Sequence, residues 1–325
     1  MRADHLLRYR LGGKAALRLQ RWRAERRYDR RAADSDSSLN PPLRSTIRMR
    51  EMMSRHYLEG RYVSGVRPVA WVTSGAPTEI LKSLGYFLVY PENHAALCGA
   101  RRHAEDLSIA AEEAGYSRDL CSYARTDLGS VISGDTPVGR LPPPDLLLCC
   151  TNICQTVLYW YRVLADHFGC PLVLVDTPFL YGEAADHQVQ FVRRQLEEMV
   201  PAAERVSGRT FEPGEFAAVV TRAKEASDLW MEILERARHR PSPITAFDGF
   251  INLGPIVDLR GDAATVGFYR SMLAEIDDRI ERGSGAIKDE RHRVLWDNLR
   301  SWHPIGPRSR MLAARGVNGV ASSYT

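Results

Sequence analysis

The sequence predicts an α/β fold built on parallel sheets, interrupted by a helical region. Two observations carry this. Between residues 69 and 176, four short apolar runs alternate with segments of helical spacing, joined by short loops. From residue 183 to about 282 the spacing is helical, and strand character returns at residue 293.

Residues 1–42 read as a basic, poorly ordered arm ending in the linker Asp34-Ser35-Asp36-Ser37-Ser38-Leu39-Asn40-Pro41-Pro42. Ile47, Met49, Met52, Met53 and Tyr57 give residues 43–59 the stripe of a short amphipathic helix. Val69-Ala70-Trp71-Val72-Thr73 is a compact apolar strand, and Pro77 suits the first turn of a helix ending at Gly85. Tyr86 to Tyr90 is the next strand, and residues 96–114 read as one helix stopped by Gly115. A further helix is expected over 120–131, a strand over Leu146–Cys150, a helix over 155–168 closed by Gly169, and a strand over Leu172–Asp176. Segments 184–199, 212–238 and 262–282 follow with helical spacing and charged faces, broken by Pro201, Pro213, Pro241 and Pro243. Arg293-Val294-Leu295-Trp296-Asp297, a helix, and Val317–Ser322 then make the start of another β-α-β unit. The expected division is residues 1–42 as arm, 43–182 as a first lobe with a leading helix, 183–290 as a helical region and 291–325 as the start of a second lobe.

Composition narrows the class. With 44% hydrophobic and 26% charged residues the chain is that of a soluble globular protein, and no apolar run is long enough to span a bilayer. No secretory leader is expected, because the basic first residues lack a following apolar stretch. Six cysteines in 325 residues do not make a disulfide framework, and their clustering beside strand ends suggests thiolates in a reducing cytoplasm. The net charge of +4 is unevenly spread: residues 1–31 carry 11 Lys/Arg against 3 Asp/Glu, net +8, and the remainder is net −4. Such an arm can touch nucleic acid, an acidic partner or a CoA phosphate, but a solvated extension is the plainer expectation.

Two cysteines stand in unusual contexts. Cys121 opens Cys121-Ser122-Tyr123-Ala124-Arg125, and Cys154 closes Cys149-Cys150-Thr151-Asn152-Ile153-Cys154 straight after an apolar strand. Each is expected at the start of a helix, whose positive end favours a thiolate. Two such thiolates brought together are candidate metal ligands, of the kind an iron–sulfur cluster needs; from spacing alone small buried core side chains are the plainer expectation. Cys149 and Cys150 end a strand and read as core, as do Cys98 and Cys170. Zinc is disfavoured, since no tight C-x-x-C pair or finger-spaced histidine occurs.

Pro91-Glu92-Asn93-His94 follows a strand, where a carboxylate and an imidazole can do acid/base work or Asn93 can simply cap a helix. Ser74, in Thr73-Ser74-Gly75, is a candidate substrate contact or a helix cap. Asp176-Thr177-Pro178-Phe179 reads as a turn at a strand end. No G-x-G-x-x-G, P-loop or G-x-S-x-G motif is present, so dinucleotide binding, P-loop ATPase and nucleophile-elbow chemistry have no support.

At these residues the sequence resembles a known family. Val72 to Ile80 (VTSGAPTEI), Tyr90 to Ala96 (YPENHAA), Gly115-Tyr116 with Cys121 to Arg125 (CSYAR), and Asn152-Ile153-Cys154 are similar to the catalytic subunits of 2-hydroxyacyl-CoA dehydratases and ATP-dependent benzoyl-CoA reductases. The resemblance runs from about Leu43 to the end. It implies two Rossmann-like parallel-sheet lobes with a helical region between them, the second lobe incomplete here. It also implies a heterodimer with a homologous second catalytic subunit, an acyl-CoA substrate, and a [4Fe-4S] cluster held by three cysteines. A separate ATP-dependent iron–sulfur activator would inject one electron. A 2-hydroxyacyl-CoA would then lose water through a ketyl radical to give a 2-enoyl-CoA, whereas the reductase leaves its electrons on the aromatic ring. By position, Cys121 and Cys154 match two cluster cysteines, Glu92 a carboxylate handling a proton or hydroxyl, and Ser74 a small polar residue near the substrate. The third cysteine is expected late in the second lobe. No cysteine follows Cys170, and the chain stops at Thr325, so a C-terminally shortened catalytic subunit is expected, or a non-catalytic relative lacking a complete cluster site. Neither membrane nor nucleic acid is an expected partner.

Overall fold

A computed structural model describes residues 13–299, 301–303 and 305–325. The described residues form two compact units, Glu59–Val219, and residues 13–58 together with Val220–Thr325.

The first unit is the α/β part. Its strands are β1 (Val69–Val72), β2 (Phe87–Val89), β3 (Leu146–Cys150) and β4 (Leu172–Val175). They pair in parallel in the order β2-β1-β3-β4. Register is set by Ala70 opposite Leu146 and Trp71 opposite Leu147 on one side, and Val69 opposite Phe87 on the other. β1, β2 and β3 are buried along their whole length, which is why they read as continuous apolar runs rather than alternating ones. Trp71, Phe87, Val89, Leu147 and Cys149 share one core with Ala124, Leu128, Trp160, Tyr161 and Leu164 from the covering helices. Asp145 pins the start of β3 to β1, its carboxylate accepting from the Val69 N–H at 2.8 Å.

The helices of this unit depart from expectation in instructive ways. The segment after Pro77 is a short helix beginning only at Glu79, after Thr78. Residues 91–113 form two helices, α4 (Pro91–Ala100) and α5 (Ala104–Glu113), α3 being Glu79–Ser83. The single helix expected over 96–114 is therefore corrected: Arg102 takes a left-handed φ of 65° and breaks it. Pro91 opens α4 with Tyr90 as its cap, so Asn93 is not the capping residue. α6 (Ser122–Ser133) and α7 (Gln155–Phe168) flank β3 in sequence, each closed by a left-handed glycine, Gly134 and Gly169. α8 (Asp186–Ser207) runs straight through Pro201, where a break was expected. Burial of Met199 and Ala203 on either side outweighs the local cost of that proline.

The second unit is mostly helical. The basic arm, expected to lack structure, is helical over α1 (Lys14–Ala32); residues 1–12 of it lie outside the described residues. α2 (Ser45–Gly60) belongs to this unit up to Leu58, not to the sheet it was expected to lead. Leu43 and Met49 are buried with Trp230, Phe268, Tyr269, Met272 and Ile276, from α9 (Pro213–Glu235) and α12 (Ala263–Glu281), with short helices α10 (Ala246–Asn252) and α11 (Gly254–Asp258) between these two. β5 (His292–Trp296) and β6 (Val317–Ser322), joined through α13 (Ile305–Ala313), form a separate two-stranded parallel sheet. No helix among the described residues is long and apolar enough to cross a membrane.

Candidate functional site

The order β2-β1-β3-β4 turns at β1. The chain steps from β1 to β2 on one side, then crosses to β3 on the other. The C-terminal ends of β1 and β3 therefore flank a topological switch point, the place where open parallel sheets bind ligands. Thr73, fully buried, joins the two ends: its N–H donates to the Leu148 carbonyl at 3.1 Å, and its hydroxyl accepts from the Cys150 N–H at 3.1 Å.

The chain then turns sharply. The Ala76 N–H donates to the Thr73 carbonyl at 3.1 Å, with Gly75 at φ 81° in the third position, where a side chain would be strained. Ser74, second in that turn, has an N–H that the turn does not use. It donates to Glu92 Oε2 at 2.5 Å. Two residues that the sequence separates by a helix and a strand thus meet at the sheet edge. Glu92 occupies the first turn of α4, where the helix dipole favours a carboxylate. Burial nevertheless pushes its carboxyl above the ordinary range; the Ser74 N–H and hydroxyl pull it back, and the nearby Asp127 charge adds to the rise.

The six cysteines divide into two kinds. Cys98, Cys149 and Cys150 are buried and Cys170 is half-buried. Burial raises the first two thiols to about 12, and Cys150 and Cys170 to about 11, so all four keep their protons near neutrality. Their reading as core residues holds. Cys121 and Cys154 are exposed instead, and each is the residue that caps a helix, α6 and α7 respectively. Cysteine is a poor helix cap and neither thiol makes a capping hydrogen bond. A thiol is therefore set at the positive end of each helix without serving that helix. Cys154 lies four residues past the end of β3, at the switch point.

Asp176, exposed past β4, accepts from the Thr151 hydroxyl, and its peptide group is held by Gln195, whose amide oxygen accepts from the Asp176 N–H at 2.7 Å. The turn expected over residues 176–179 does not form; after β4 the chain continues without regular structure there. His94 does not face solvent beside Glu92; it is fully buried, with Nε2 2.7 Å from the Thr136 hydroxyl. Asp127, also fully buried, accepts from the Trp160 indole N–H at 2.9 Å. Sequence reading singled out none of Asp127, Trp160 and Tyr161. One signal was present: an acid inside the apolar stripe of α6, flanked by Ala124 and Leu128, which are themselves buried.

The donor set can be compared with the needs of an iron–sulfur cluster. Exposed thiols at helix starts suit thiolate ligation, and Cys121 and Cys154 supply two. The remaining thiols hold their protons, and no group of three or more His, Cys, Asp or Glu set to hold a metal ion occurs among the described residues. The residues present fit two corners of a cluster and do not supply a third thiolate.

Fold and site together define an α/β protein with a carboxylate–serine pair at the switch point of its four-stranded parallel sheet and two exposed thiols at helix starts in the same unit. The family model for the 2-hydroxyglutaryl-CoA dehydratase D-component matches residues 73–325. The chain belongs to this family, which holds dehydratase and benzoyl-CoA reductase subunits. It is 34% identical over 261 residues to the (R)-2-hydroxyisocaproyl-CoA dehydratase alpha subunit of Clostridioides difficile, covering 79% of this chain and 64% of that protein. It is 29% identical over 258 residues to the (R)-phenyllactyl-CoA dehydratase alpha subunit of Clostridium sporogenes, covering 79% and 63%. A subunit of the benzoyl-CoA reductase of Thauera aromatica is 32% identical over 295 residues, covering 86% and 68%. The chain thus spans about two thirds of the length of these relatives.

Proposed function

We propose that the chain is the cluster-bearing part of a 2-hydroxyacyl-CoA dehydratase catalytic subunit, removing water from an (R)-2-hydroxyacyl-CoA to give a 2-enoyl-CoA. One observation carries the reading: two exposed thiols cap the helices that precede and follow β3 in the chain, in the same unit as the carboxylate–serine pair at the sheet's switch point. Cys121 and Cys154 would hold two corners of a [4Fe-4S] cluster, with a third ligand from outside residues 1–325. When bound, that cluster supplies one low-potential electron and a Lewis-acidic iron. Glu92, raised by burial, takes or returns a proton at Oε, and Ser74 holds it in place through its N–H and hydroxyl, beside the substrate. The two-stranded sheet β5–β6 is the start of a second lobe. The partners are a homologous second subunit and an ATP-dependent iron–sulfur activator, and the compartment is the cytoplasm.

The match to a benzoyl-CoA reductase subunit over 86% of this chain favours a second reading, reduction of an aromatic acyl-CoA. A third reading, a non-catalytic relative, is favoured by the absence among the described residues of any three His, Cys, Asp or Glu side chains grouped to hold a metal ion. Iron and sulfide analysis of the anaerobically purified gene product, followed by assay with a 2-hydroxyacyl-CoA and with benzoyl-CoA after activation, separates the three. A protein without iron and sulfide sinks both enzymatic readings.

A further inference from the structure

Asp127 is a buried acid with an incomplete set of partners. One carboxylate oxygen accepts from Trp160 Nε1 at 2.9 Å. The other has no hydrogen-bond partner and lies 3.8 Å from His94 Nδ1, which also has none. Burying a carboxylate costs several kcal/mol unless it is matched, so an apolar residue would serve packing better here. Unsatisfied buried polar atoms call for an explanation other than packing.

The three residues sit on three helices, each with a candidate site residue at its cap or in its first turn. His94 is two residues past Glu92 on α4. Asp127 is six residues past Cys121 on α6, and Trp160 is six past Cys154 on α7. Six residues of helix are about 9 Å, so each lever is short. α6 and α7 therefore meet at equal depth behind their capping cysteines. His94 is locked from its other side by Thr136 and lies against Cys98, with Sγ 3.6 Å from Nε2. Its ring is not free to follow Asp127 if that side chain is removed.

We propose that Asp127 is a positioning residue that ties α4, α6 and α7 together and so holds Glu92, Cys121 and Cys154 as one site. The proposal rests on the reading of Cys121 and Cys154 as paired ligands. Its physical content is that Asp127 is retained for the mutual placement of three helix starts, and that the Trp160 N–H bond is the link between the two thiol-bearing helices.

The test bridges thiols in the metal-free protein with dibromobimane, which fluoresces only when both its arms have reacted, and maps the bridge by peptide mass. The unaltered protein is expected to bridge Cys121 to Cys154. Asp127→Ala lowers that bridging severalfold while each thiol still reacts singly with N-ethylmaleimide at its original rate. Asp127→Asn restores most of the bridging, because its amide oxygen still accepts from Trp160. Trp160→Phe, which keeps an aromatic ring in the core but loses the donor and part of the indole's volume, reproduces the alanine result and carries the test if the alanine variant does not fold. Iron loading of the alanine variant weakens by about tenfold, as loss of a residue supporting a ligand does. Equal bridging in all variants overturns the role of Asp127 and leaves the ligand reading standing. Absence of a bridge in the unaltered protein, with both thiols singly reactive, overturns the convergence of the two cysteines and the proposal with it.

Discussion

At the scale of single residues, the site combines groups whose environments oppose their ordinary chemistry. Glu92 is the clearest. Its carboxyl is raised in the folded state, so between the ordinary carboxylate range and the raised value the folded chain binds more protons than the unfolded one. Stability from this group is present below that window and falls as pH rises through it. Glu92→Gln keeps an acceptor for the Ser74 N–H and removes the charge. It is expected to raise the melting temperature more at about pH 7 than at about pH 4, and to slow turnover with the cluster intact. An equal shift at both pH values would place the cost of Glu92 elsewhere. The cysteines yield a second outcome. Cys121→Ala and Cys154→Ala are each expected to abolish the brown cluster absorbance of the loaded protein, because each removes a thiolate. Persistence of the colour in both variants would remove these residues from the ligand set.

Elements explain what residues alone do not. α5 and α6 approach closely because Gly129 faces the Leu107 carbonyl; a Cβ there would lie 1.7 Å from that oxygen. The obstacle is backbone, so it cannot swing aside. Gly129→Ala is expected to force the helices apart at a cost of about 1–3 kcal/mol, read as a lower urea midpoint. An unchanged midpoint would show that α5 yields freely. Since Gly129 is two residues from Asp127 on the same helix, cluster loading is expected to fall with it. α4 shows the same dependence on neighbours. Residues 96–114 carry helical spacing throughout, yet the helix breaks at Arg102, whose φ of 65° nothing in its chemistry announces. α8 shows the reverse: Pro201 predicts a break, and burial of Met199 and Ala203 maintains the helix.

Across the whole molecule, Ser74, Glu92, Cys121 and Cys154 all fall in one compact unit, Glu59–Val219, and so do all six cysteines. The other unit has its own apolar core around Trp230, Phe268 and Tyr269. Thiol exposure during denaturation therefore reports the first unit alone, while circular dichroism reports both. The two measurements are expected to give non-coincident transitions, since separate cores need not unfold together. Coincident curves would mean that the two cores are coupled. In the folded protein, maleimide is expected to label Cys121 and Cys154 first and Cys98, Cys149 and Cys150 only on unfolding.

Local spacing along the chain was enough to give the α/β class and the four strands of the sheet, and it singled out the two cysteines that prove to be exposed. Short apolar runs between glycine-closed helices report strand and helix through local spacing, and motifs around Ser74, Glu92, Cys121 and Cys154 are contiguous. Packing was needed to show that Ser74 holds Glu92, that α1 is helical, that α2 shares a core with α9 and α12, and that Asp127 lies among His94, Trp160 and Tyr161. Those facts depend on contacts between residues far apart in the chain. Spacing along a chain states which face of an element is apolar, and it does not state which other element that face will meet.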